Sequence, residues 1–92
     1  VQSLLIRHKV DDYERWKQVF DGDAELRLAH GSRNARIFRN KAEQDEVWLL
    51  LEWDDLARAR LFLRSEDLAD FLNRAGIVGQ PDYWCLEESG SP

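Results

Sequence analysis

Glu46-Val47-Trp48-Leu49-Leu50-Leu51-Glu52-Trp53 reads as a strand that is apolar on both sides: Val47, Leu49, Leu51 and Trp53 share one face, Trp48 and Leu50 the other. Such a strand belongs where both faces are covered. A single sheet in a chain of 92 residues can cover only one face with its own helices. The second face therefore calls for a partner, and a second copy of the same chain is the simplest one. A homodimer is the expected assembly.

Outward from this strand, Ser3 to Val10 alternate as a first strand, with Leu4, Ile6, His8 and Val10 on one face and Leu5, Arg7 and Lys9 on the other. Asp11 with Glu14 three positions later resembles a capping box, opening a helix whose apolar stripe is Tyr13, Trp16, Val19 and Phe20. Gly22 interrupts that helix. Ala24 to His30 continues or restarts it, with Leu26 and Leu28 free to face either way, and Gly31 ends it. Arg33 to Asn40 alternate as a second strand, joined to the opening stretch by the polar link Lys41 to Asp45 in a hairpin.

Asp54 or Asp55 can cap the next helix, and Ser65 followed by Glu66 and Asp67 predicts a break and a fresh start before Leu68, Phe71 and Leu72. Gly76 is the stop, Gly79 and Pro81 predict a turn, and Asp82 to Glu87 supply a last strand. The order β-α-β-β-α-β is that of a ferredoxin-like α+β fold with a four-stranded antiparallel sheet. Right-handed crossovers put the first and third strands at its centre, where a two-faced apolar strand belongs.

With 43% hydrophobic and 34% charged residues the chain is globular rather than disordered. One domain is expected over residues 1–88, followed by a flexible tail at 89–92. A net charge of −5 argues against nucleic acid or an anionic membrane as a partner of the whole domain. The arginines at 27, 33, 36 and 39 with Lys41 form a local basic stretch that reads as a solvated strand edge, although Arg36 or Arg39 can also anchor an anionic substrate group. Arg7 and Glu52 share a face on adjacent central strands and are expected to pair.

Cys85, the single cysteine, reads as a small buried apolar side chain, and no other Cys or paired His has metal-ligand spacing. A reducing, cytoplasmic setting fits this usage. No stretch approaches the ~18 consecutive apolar residues of a membrane span. No signal-peptide pattern opens the chain, though Val1 in place of Met leaves room for preceding residues. The scattered glycines make no phosphate-cradling loop, so no nucleotide cofactor is expected.

Arg7-His8-Lys9-Val10 with Asp12-Tyr13 and Trp16, Phe38-Arg39-Asn40, Glu46-Val47 through Glu52-Trp53-Asp54-Asp55 with Ala59-Arg60, and Ala75-Gly76-Ile77-Val78-Gly79 with Pro81 together give a resemblance that spans Leu4 to Glu88. On these residues the chain resembles the dimeric α/β-barrel superfamily of antibiotic-biosynthesis monooxygenases, small polyketide cyclases and haem-degrading monooxygenases. The resemblance implies two sheets packed face to face across a dimer, with a pocket in each subunit between its sheet and its helices. In the haem-degrading branch an Asn on strand one, a Trp closing strand three and a His on the second helix do the work. Here His8 stands roughly at the first position and Trp53 at the second, and residues 55 to 75 contain no histidine. Without that axial ligand haem degradation loses its main support.

His8 shares its face with Leu4 and Ile6, toward the helices, where an imidazole can hold or deprotonate a phenolic substrate near neutral pH. The plainer alternative is a strand-end histidine hydrogen-bonded to a neighbour. Tyr13, Trp16, Phe20, Trp53, Phe62 and Phe71 can line an aromatic cleft for a flat ligand, or can be ordinary core. The expectation is a cofactor-independent monooxygenase or cyclase-like enzyme acting on a small aromatic or polyketide-like molecule, with His8 as general base or substrate anchor. Its rival is a non-catalytic homodimeric binding or stress-associated module. A cavity of roughly 300 Å³ or more at His8 favours the first, and a filled core the second.

Overall fold

The computed structural model describes residues 2–90. Of the tail expected at 89–92, the last two residues lie outside the described part. Eight elements follow one another: β1 (Gln2–Val10), α1 (Tyr13–Gly22), α2 (Ala24–His30), β2 (Ser32–Arg39), β3 (Glu46–Trp53), α3 (Leu56–Leu63), α4 (Glu66–Arg74) and β4 (Ile77–Glu87). The four strands form one antiparallel sheet in the order β2-β3-β1-β4, with the first and third strands central, and each helical region of the ferredoxin-like pattern is split in two.

The splits have local causes. Asp12, not Asp11, caps α1: its backbone is extended and its carboxylate accepts from the Arg15 amide. Glu14 adds an acidic side chain to the first turn rather than closing a capping box. The chain breaks at Gly22–Asp23 and ends α2 at Gly31, whose φ of +107° favours a residue without a Cβ. Asp55 caps α3 through the Ala57 amide, and Ser65 caps α4 through the Leu68 amide while its hydroxyl donates to the Phe62 carbonyl. The predicted break at Ser65 thus has one side chain serving the end of one helix and the start of the next.

One face of the sheet carries the core. Leu4, Ile6 and Val10 of β1, Val47, Leu49, Leu51 and Trp53 of β3, and Trp16, Phe20, Ala59, Phe62, Leu68 and Phe71 from the helices are all buried. The other face is a patch with no cover from its own chain: Phe38, Trp84 and Leu86 are exposed, and Leu5, Trp48 and Leu50 half-buried. Trp48 and Trp84 stack 5.9 Å apart there, with the Arg7 guanidinium about as far from each ring.

Three sequence expectations need correction. Residues 77–81 are strand rather than turn: Ile77 and Val78 pair with Val10 and Lys9, and the register then shifts, so that Gly79 and Pro81 sit in a β-bulge on an edge strand, where a missing N–H does no harm. Arg7 pairs with Asp82 at 2.5 Å instead of Glu52, because Asp82 lies directly across from it while Glu52 lies opposite Ser3. Cys85 is exposed, since it lies on the edge strand beyond the reach of the helices.

Candidate active site

His8 projects from β1 into the layer between sheet and helices and is only 3% exposed. Its ring lies 5.6 Å from that of Trp16, which is fully buried and stacks in turn on Phe20 at 5.1 Å. These contacts are apolar. Neither His8 nitrogen has a hydrogen-bond partner among the described residues, and the same is true of the indole N–H groups of Trp16 and Trp53. Burial pushes the His8 imidazole down to about 4, so at neutral pH it is uncharged, with one nitrogen free to accept a proton and the other carrying one. A buried polar group left without a partner is costly, and His8 accounts for two of the four such atoms.

A narrow slot runs outward from His8 between Leu49, Leu51, Phe62, Leu68, Phe71 and Tyr83, and reaches the surface beside Asp23, Leu26, Arg27, Asp67 and Leu72. Of the predicted wall residues, Phe20, Phe62 and Phe71 border the slot. Trp16 stands behind Phe20, Trp53 packs against Phe62 at 5.3 Å, and Tyr13 stacks on Trp16 beneath the Arg39 guanidinium. Free space in the slot amounts to about 20 Å³. That is room for one water molecule and far below the roughly 300 Å³ of a ligand cavity.

A second recess, of about 330 Å³, opens at the β1–β4 bulge and also touches His8. Its walls are outer-face and edge residues, and its charged side chains are already engaged, Arg7 with Asp82, Lys9 with Glu43, and Glu46 accepting from Asn40 and Trp48. The imidazole itself packs on the opposite side, against Trp16.

The mouth of the slot is bordered by α2, which buries none of its residues; Leu26 and Leu28 are both exposed. Polar ties hold it down. Arg27 donates to the Phe20 carbonyl at 2.6 Å, Arg58 donates to that of Ala29 at 2.8 Å, and His30 Nε2 lies 2.7 Å from Asp67 while its ring packs edge-on against Phe62. The His30–Asp67 pair escaped the sequence reading. Its members are 37 residues apart and fit no motif spacing, so only the approach of α2 to α4 reveals it. Among the described residues no three His, Cys, Asp or Glu side chains gather so as to hold a metal ion, and no helix is long and apolar enough to cross a membrane.

No protein-family model matches the chain, and no curated protein sequence does. Solved structures do. A Bordetella bronchiseptica protein assigned to the antibiotic biosynthesis monooxygenases superposes with a TM-score of 0.82 at 12% identity, over 95% of both chains. SnoaB, a cofactor-independent oxygenase from Streptomyces nogalater, gives 0.79 at 12% identity, over 98% of this chain and 94% of its own. A Caulobacter crescentus protein assigned to the same monooxygenases gives 0.75 at 15%, over 97% and 90%. The chain therefore shares the fold of these solved structures. At these identities the likeness is one of fold, and chemistry has to be argued from the site.

Proposed function

We propose that the protein is a small-molecule enzyme of the cofactor-independent oxygenase or cyclase type, with His8 as its proton acceptor and an aromatic or polyketide-like substrate. The observation that carries the reading is the pair of unpartnered His8 nitrogens at the inner end of an aromatic-walled slot. A phenolic hydroxyl donating to the unprotonated one would supply a hydrogen bond that the fold withholds. Transfer of its proton to His8 pairs the imidazolium with the anion left behind, which offsets the burial that otherwise keeps this ring uncharged, and that electron-rich anion can reduce dioxygen directly. For an activated methylene the balance is simple: carbon gives up both hydrogens, one oxygen atom of O₂ becomes the carbonyl, and the other leaves as water. Tyr13, Trp16 and Trp53 back the walls that Phe20 and Phe62 form. Admission of substrate requires α2 to lift, which its lack of buried side chains and its few polar ties allow.

The test is dioxygen uptake with a panel of small hydroquinones and anthrones. His8→Leu should lower the rate on any accepted substrate by about a hundredfold. An unchanged rate would remove His8 from the chemistry.

A second reading, a non-catalytic homodimeric binding or stress-associated module, draws its support from the roughly 20 Å³ of free space. Under that reading no panel member is turned over and none protects the protein against unfolding.

Both readings include a homodimer closed through the outer face of the sheet, where Phe38, Trp84 and Leu86 are exposed around the Trp48–Trp84 stack. A two-fold pairing of this patch would hide it from water. Replacing Leu50 and Trp84 together by Lys should convert a dimer at micromolar concentration into a monomer in sedimentation. If the parent chain already sediments as a monomer, with Trp48 emitting as though in water, the dimer is lost.

A further inference from the structure

Arg27 is the arginine that borders the slot. Its guanidinium carbon sits over the Phe20 ring, 3.6 Å from the centroid, and the residue borders the same slot as His8. One N–H of Nη1 goes to the Phe20 carbonyl, and no carboxylate pairs with Arg27 among the described residues. The acids around it are otherwise engaged: Asp23 with Arg74 at 2.8 Å, Asp21 with Lys17, and Asp67 with His30. Burial lowers the tendency of this guanidinium to hold its charge, with Asp23 and Asp21 opposing that trend, so the cation remains without a direct counter-ion of its own.

We propose that Arg27 is the specificity-determining anchor of the slot, selecting flat aromatic ligands that carry an anionic group, a carboxylate or an ionised enol, at the end facing the surface. This rests on the reading of the slot as a ligand site and adds the class of ligand to it. Geometry supports the polarity. Arg27 stacks on Phe20, Phe20 on Trp16, and Trp16 meets His8, so the aromatic column has a cation at its outer end and an uncharged proton acceptor at its inner end. A planar molecule entering beside this column would set its anion against the free guanidinium N–H groups and its hydroxyl against His8. Arg36 and Arg39, the arginines that the sequence offers as anion anchors, lie elsewhere: Arg36 over Phe38 on the outer face, Arg39 over Tyr13.

The experiment is calorimetric titration at neutral pH with naphthoate and with naphthamide, its uncharged counterpart of nearly equal shape. The parent protein should bind naphthoate about tenfold more tightly than naphthamide. Arg27→Gln should erase that preference by weakening naphthoate about tenfold more than naphthamide, and Arg27→Lys should keep part of it. The naphthamide arm guards against general damage from losing the stack on Phe20. If naphthoate binds no better than naphthamide, or the preference survives Arg27→Gln, the anchor is refuted while the slot stands as a ligand site. If neither probe binds the parent protein at millimolar concentration, the slot and the anchor fall together.

Discussion

His8→Leu is expected to match or exceed the parent in stability at neutral pH, and to pull ahead by about 3 kcal/mol by the time the pH has fallen to about 4. The folded protein holds the His8 imidazole down at about 4 because the ring is buried, whereas in the unfolded chain it titrates at its ordinary 6.5. Between those two values the unfolded chain binds a proton that the folded one refuses, so parent stability is complete above 6.5 and drains away as the pH falls toward 4. Leucine removes that proton-binding difference. It also removes the two unpartnered nitrogens, a gain on the order of 1 kcal/mol at any pH.

Urea unfolding of both proteins at equal concentration, at pH 7 and near pH 4, isolates the term, since the carboxylates that also titrate are common to both. A difference that stays constant with pH would show that His8 is solvated or paired in solution. The same variant separates chemistry from folding: a well-folded His8→Leu that no longer supports dioxygen uptake has lost a proton acceptor rather than its structure.

How much of this was legible beforehand depends on the range over which each residue acts. The alternation through Val47, Leu49, Leu51 and Trp53, and the caps at Asp55 and Ser65, are local, and each appears where the sequence implies it. The β4 start was hidden because Gly79 and Pro81 carry a turn signature that an edge-strand bulge also tolerates. The Arg7–Asp82 pair turns on register, which parity alone does not supply: Glu52 has the right face and lies four residues too far along. His8 and its aromatic neighbours could be nominated from face and type. Arg27 and the His30–Asp67 pair could not, because their meaning comes from where the short α2 comes to rest.

Trp16→Ala should lose about 3–5 kcal/mol, against a total of about 5–15 kcal/mol for a typical domain, and so leave little cooperative unfolding at room temperature. Trp16 is wholly buried, and its ring is the hub of the interior: Tyr13 at 5.6 Å, Phe20 at 5.1 Å, His8 at 5.6 Å and Phe71 edge-on at 6.5 Å. Removing it opens a void that four neighbours, anchored on three different elements, cannot jointly fill. One term works the other way, since the indole N–H has no partner and its loss relieves a small strain on the core.

Trp16→Phe makes the distinction, because it keeps most of the ring contacts and discards the N–H. It should retain cooperative unfolding and near-ultraviolet dichroism, where Trp16→Ala loses both. A loss of less than about 1.5 kcal/mol for Trp16→Ala would mean that the interior collapses readily around the missing ring. The column from Arg27 to His8 would then be soft rather than a preformed support, and a site that depends on Trp16 to hold Phe20 and His8 in line would lose its mechanical basis.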